Sequence, residues 1–181
     1  MNKVKNILIV THQFVPHQSP RTTRWKLIYD ELVKEGFNVK VVTGTRQDGL
    51  DSRIDYIGNK TASGVVSNLR KQSNKDQGSF YKNLALKFLK KLYRFFYKFF
   101  AWPDYTMFWV YSIWKNRKQI NFDYDVIISV SLPFSSHVAA YILNKVKRKT
   151  WIMDIGDPFS LKNSAFENNK FFYKSLNYYF E

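Results

Sequence analysis

The chain contains no cysteine, only seven glycines and five prolines among 181 residues, and 14 acidic side chains against 29 basic ones. Without cysteine there is no disulfide framework, no thiolate metal site and no cysteine nucleophile. The glycines stand at 36, 44, 49, 58, 64, 78 and 156, so no two are spaced as G-x-G and the usual dinucleotide fingerprint is excluded. Gly44 and Gly49 have the spacing of a phosphate-binding loop, but Leu50-Asp51 follow where Lys and Ser or Thr are required. His12, His17 and His137 form no His-Glu-x-x-His pattern and have no carboxylates at ligand spacing, so no protein-only metal site is expected. A G-x-S-x-G nucleophile elbow is also missing. No stretch of about 18 uncharged apolar residues exists to span a bilayer. The apolar run Ile7 to Val10 is too brief for a secretion-signal core.

Against these absences stand five Trp, twelve Tyr, sixteen Phe and a formal net charge of +15. That aromatic load, within a 45% apolar composition, excludes a disordered polycation. The length fits one domain able to bury most of its chain surface. The expectation is a soluble cytoplasmic domain whose positive field selects an anionic partner: phosphate, nucleic acid or acidic lipid.

The hydrophobic pattern predicts an α/β fold, doubly wound around a mostly parallel Rossmann-like sheet, as one domain over 1–181. Asn6 to Val10 reads as a strand buried on both faces. Ser19-Pro20 reads as an N-cap with proline at the first helical position. Trp25, Ile28 and Leu32 then mark the apolar face of a helix, with Leu27 and Val33 beside them, and Gly36 sits at its C-terminal cap. Val39 to Thr43 completes a βαβ unit with a right-handed crossover. Further strands are predicted at Val126–Val130 and Thr150–Ile155, the third and fourth, and helices at Tyr105–Lys118, Ser135–Lys145 and Phe166–Glu181. In the polar stretch 44–79, Ile54 and Tyr56 alternate as in a strand without marking a clear one. Residues 59–79 form a polar excursion, and an inserted aromatic-basic helix follows at 80–101, ended by Pro103.

Ligands of open parallel sheets bind beyond the carboxyl ends of the strands, and three unusual loops fall there. In the first, His12, Gln13 and Arg21 precede or open a helix whose N-terminus can hold an anion through amides and guanidinium. Arg24 is read as a solvated charge. The second, Ser129 to His137, places Ser131 and Ser135 at a strand end; Ser135 or Ser136 is read as an N-cap. His137 is either a helix-start residue or a proton carrier, its titration range suiting the latter. The third places Asp154 and Asp157 at the end of an apolar strand, where carboxylates are expensive unless bound to something. Asp157-Pro158 could equally open a turn. Asp157 is the first choice as a functional residue, with Asp154 behind it.

The 80–101 segment has six basic residues and no acidic one. At 100° per residue, Lys87, Lys90, Lys91, Arg94 and Lys98 share a narrow stripe, opposite a broad face that includes Phe95 and Phe99. One reading lays this helix in a membrane interface, aromatics inserted and lysines on anionic headgroups; the other buries it against the sheet. The extra charge from Arg70 to Lys75 favours the membrane.

In this order the three loops resemble the N-terminal half of a GT-B glycosyltransferase of the retaining family-4 type. Ile7-Leu8-Ile9-Val10-Thr11-His12-Gln13-Phe14-Val15-Pro16, with Arg21 and the helix ending Glu35-Gly36, resembles that family's opening strand, loop and helix. Asp125-Val126-Ile127-Ile128-Ser129 with Ser131-Leu132-Pro133 resembles its "D-x-I-x-S…P" segment. Trp151-Ile152-Met153-Asp154-Ile155-Gly156-Asp157-Pro158-Phe159 resembles the "W-x-x-D-x-R-D-P-W/F" block of bacterial polysaccharide-assembly members. Here the first loop lacks Gly-Gly, Ser131 stands where several members carry a functional His, and Gly156 stands where members carry Arg.

The resemblance implies the acceptor-binding half of a retaining, nucleotide-sugar-dependent transferase in cell-surface polysaccharide assembly, peripheral on the inner face of the plasma membrane. Its acceptor would be a lipid-linked sugar held by His12, Gln13, Arg21, Ser131 and Ser135. Asp157, Asp154 or His137 would orient or polarise the acceptor hydroxyl. No resident cofactor or metal is implied, the nucleotide-sugar being a co-substrate bound mainly by a donor-binding domain or subunit absent from this chain. By this likeness a last strand would follow the helix ending near Glu181, so a truncated product or half of a split enzyme is expected, inactive alone. The competing function is a basic nucleic-acid-binding module, motivated by the sequence pI of about 9.9. It is disfavoured because no helix-turn-helix, RRM or zinc signature appears and the aromatics crowd an apolar face.

Overall fold

The computed structural model describes residues 5–46, 51–58, 102–104, 106–156 and 173–180. The polar excursion, the aromatic-basic helix with its membrane-binding residues, and Asp157 lie outside these residues.

Five strands, β1 (Asn6–Thr11), β2 (Asn38–Thr43), β3 (Ile54–Tyr56), β4 (Val126–Val130) and β5 (Thr150–Asp154), form one sheet in the order β3-β2-β1-β4-β5. All four pairings are parallel, with β1 hydrogen-bonded to β2 on one side and β4 on the other. Ile7 to Val10 are buried because the alternating side chains of this central strand enter two cores. Leu8 and Val10 join Val42, Ile127, Trp109, Ile113, Ala139 and Ala140 on one face. Ile7 and Ile9 join Val39, Val41, Phe14, Trp25 and Tyr29 on the other. Helices therefore cover both faces: α1 (Pro20–Lys34) one, α2 (Met107–Asn116) and α3 (Ser135–Lys147) the other. This is an α/β, Rossmann-like arrangement. A fourth helix, α4 (Tyr173–Phe180), is tied to the segment before α2 where the Trp102 indole N–H donates to Asn177 Oδ1 at 2.9 Å.

The ends of α1 follow from local chemistry. Ser19 Oγ accepts from Thr22 N at 3.1 Å, satisfying a first-turn amide that Pro20 cannot compete for. Gly36 has φ +83°, and its N–H and that of Phe37 bond back to Val33 and Leu32, the paired closure that a left-handed residue permits.

The buried stripe of α1 differs from the expected one. Thr22, Trp25 and Tyr29 face the sheet, whereas Ile28 is 36% and Leu27 62% exposed. Tyr29 takes the place expected for Ile28 because its ring meets Phe14 edge-on at 5.9 Å and its hydroxyl donates to Asp51 Oδ2 at 2.6 Å. Asp51 is in turn held by two bonds from the Arg53 guanidinium, which keep its carboxyl well below the usual carboxylate range.

A second correction concerns α3. Neither Ser135 nor Ser136 caps it: the N-cap position is Phe134, with no side-chain cap bond. The hydroxyls of both serines are engaged by other parts of the chain.

Candidate functional site

The strand order reverses direction between β1 and β4, and ligands of such sheets bind at that switch point, beyond the strands' carboxyl ends. The loops after β1, β4 and β5 meet there. His12, at the end of β1, is the joint between them. Its N–H donates to Ser136 Oγ at the start of α3 (3.1 Å), and its carbonyl accepts from Gly44 N, Thr43 Oγ1 and Thr45 Oγ1 at the end of β2. The His12 ring packs edge-on against Trp109, with centroids 5.2 Å apart. It comes so close to Gly44 that a Cβ there would lie 2.5 Å from His12 Cδ2. Gly44, which in the sequence only imitates a phosphate loop, is required by this close approach.

Burial lowers the His12 pKa below its ordinary 6.5; nearby Asp104 opposes the shift and His17 adds to it. The ring is therefore uncharged at neutral pH and can accept or donate a hydrogen bond. Beside it, the Trp109 indole N–H is buried with no acceptor among the described residues. A buried donor without an acceptor costs roughly 1–3 kcal/mol.

The loops after β4 and β5 are joined by Ser131. Its N–H and Oγ both donate to the Asp154 carbonyl, at 3.1 and 3.0 Å, and its Oγ accepts from Gly156 N at 3.2 Å. Arg21, in the first turn of α1, reaches the same place: its Nη2 would lie 3.3 Å from a Cβ on residue 156. The guanidinium is thus brought against Gly156. Gln13 is half-buried in the first loop, where its carbonyl accepts from Thr11 Oγ1 at 3.0 Å.

Asp154 faces α1. Its Oδ2 accepts from Trp25 Nε1 at 2.6 Å and pairs with the Arg24 guanidinium at 2.5 Å. Arg24, read from the sequence as a solvated charge, keeps its side chain 51% exposed while pairing with this carboxylate. His137 lies beneath the loops rather than among them: it is buried, with Nδ1 2.7 Å from Ser129 Oγ. Ser129 also accepts from Trp151 Nε1 at 2.8 Å, which leaves its O–H able to donate to His137. Ser135 is fully buried as well.

The residue that sequence reasoning missed is Asp104. It is 3% exposed and accepts four hydrogen bonds. Oδ1 takes Thr106 N (2.9 Å), Thr106 Oγ1 (2.6 Å) and Ser135 Oγ (2.7 Å). Oδ2 takes Ser135 N (2.9 Å). One carboxylate thus caps α3 from outside and fixes the approach to α2, satisfying a first-turn amide that no residue of α3 serves. The signal in the sequence was the Asp104-x-Thr106 turn, in which an aspartate bonds the amide two residues on.

Family models, curated proteins and solved structures were compared with the chain, and none matches. Among the described residues no three His, Asp or Glu side chains gather as a metal site would require, and no helix is long and apolar enough to cross a membrane. The crevice offers a neutral imidazole and one guanidinium at a helix start, with the buried Trp109 indole packed behind the imidazole.

Proposed function

We propose that this chain is the acceptor-binding half of a retaining GT-B glycosyltransferase of cell-surface polysaccharide assembly, acting on a lipid-linked acceptor at the inner membrane surface. The observation that carries this reading is the meeting of the three loops that resemble that family, linked through His12–Ser136, Ser131–Asp154 and Arg21–Gly156 at the switch point of the sheet. Where family members carry Arg at the position of Gly156, Arg21 brings a guanidinium to the same neighbourhood from α1, which supports the binding of an anion there. Arg21, through its guanidinium at the start of α1, binds the phosphate groups of the acceptor. His12, kept neutral by burial, accepts a hydrogen bond from the acceptor hydroxyl, and the Trp109 N–H donates to a sugar oxygen. Asp154 acts at a distance, holding α1 and its arginines through Arg24 and Trp25.

In the transfer, the bond from the anomeric carbon to the donor diphosphate breaks. A bond to the acceptor oxygen forms on the same face, the acceptor hydroxyl's proton passes to the departing diphosphate oxygen, and the nucleoside diphosphate leaves. The donor is held by a second domain or subunit, and no metal or resident cofactor is assigned.

A salt-titrated comparison tests the substrate class. Binding to vesicles carrying a polyprenyl-diphosphate sugar should exceed binding to the same vesicles without it, and Arg21→Ala should abolish the difference, a loss of about ten- to a hundredfold for a charge-assisted contact. Tight oligonucleotide binding with a steep salt slope, and none to the glycolipid, would establish the nucleic-acid reading instead.

A further inference from the structure

The outward face of α2 carries large aromatics where a surface helix ordinarily carries polar groups. Phe108 is 41%, Tyr111 59% and Trp114 49% exposed, while Trp109 and Ile113 on the opposite side are buried. At 3.6 residues per turn, Phe108, Tyr111, Trp114 and Lys115 fall within about a third of the circumference, and Arg117 and Lys118 follow at the helix end. The rings of Tyr111 and Trp114 lie 5.8 Å apart, and the Arg117 guanidinium sits over Trp114 at 5.1 Å. Between Asp104 and Asp123 the chain has no acidic residue.

We infer that this face docks on an anionic lipid surface. Two chemistries coincide here. Tyr and Trp rings, apolar in body and polar at one edge, prefer the boundary between hydrocarbon and water. Lys115, Arg117 and Lys118 at the helix end match anionic headgroups, and such matching strengthens with each cation. The net charge of +15 favours the approach. An exposed aromatic face of this kind is otherwise a liability for association. The inference deepens the membrane part of the proposed function and rests on it for the placement of the acceptor. Asp104 ties the start of α2 to the start of α3, beside His12 and Ser136, so lipid lying along α2 adjoins the mouth of the crevice.

The lack of native cysteine makes the test clean. A Tyr111→Cys variant of the full chain, labelled with an environment-sensitive fluorophore, is compared with Leu27→Cys on α1, across the sheet. Mixed phosphatidylglycerol–phosphatidylcholine vesicles should shift the emission of the label at 111 to the blue and leave that at 27 unchanged. Pure phosphatidylcholine should do neither, and salt near 1 M should weaken the effect because it shortens the screening length to about 3 Å. Phe108→Ser, Tyr111→Ser and Trp114→Ser together should weaken vesicle binding by roughly tenfold or more while leaving Tm within a few degrees of wild type, since exposed substitutions cost little. If the chain binds anionic vesicles with the label at 111 still in water, this surface is wrong and the membrane reading stands. If the chain binds no vesicles, both fall. A label at 111 already shielded without lipid, by the 80–101 segment or a second copy, also overturns the inference.

Discussion

His12 is the residue on which the site turns, and its environment has a consequence for stability. Folding places it where burial disfavours the imidazolium, with Asp104 opposing and His17 adding to the shift. The folded pKa therefore lies below the unfolded value, and the unfolded chain binds more protons between the two. Stability is then full above the ordinary histidine value of 6.5 and declines as pH falls through it toward the folded pKa. Urea denaturation across this range should show that decline, and His12→Gln should flatten it; an unchanged slope in the variant would mean that another group titrates. The lowered pKa of Asp51, set first by Arg53, acts in a separate and more acidic window, below the usual 3.8. None of this was visible in the sequence, where His12 had no carboxylate near it and Gly44 resembled a failed phosphate loop. Both roles arise from a contact between residues 12 and 44, on neighbouring strands, which local spacing cannot report.

The elements were more legible than the contacts between them. Ser19-Pro20 and Gly36 mark the ends of α1 because caps are local chemistry. The β-branched runs of β1, β2 and β4 mark central strands because parallel strands are buried on both sides. The face of α1 was misjudged at Ile28 because Tyr29 gains a partner in Asp51, 22 residues away, which a hydrophobicity pattern does not record. The start of α3 was misjudged for a similar reason: its cap is Asp104, 31 residues before Ser135. That carboxylate joins two elements, so its loss should be felt by both. Asp104→Ala should lower the unfolding free energy by about 3 kcal/mol, the scale for leaving buried donors without their charged acceptor. Faster amide exchange should appear at both Thr106 and Ser135. Exchange altered at one site alone would mean that Asp104 serves only that element.

At the scale of the molecule, the strand order puts the switch point between β1 and β4, and the chain places its least ordinary side chains there. The +15 charge first read as a general affinity for anions. Among the described residues, four of these cations stand where the account uses them: Arg21 at the crevice, and Lys115, Arg117 and Lys118 at the end of α2. The central claim is that the crevice takes the sugar-bearing head of an anionic lipid. The most direct measurement is the response of the Trp109 indole N–H resonance, one of five in the chain, when a polyprenyl-diphosphate sugar in nanodiscs is added. The account predicts a saturable shift of this resonance together with the His12 ring, absent with empty nanodiscs. It also predicts that Trp109→Phe weakens binding. A Trp109 resonance that stays in place while the ligand saturates the chain elsewhere would contradict it.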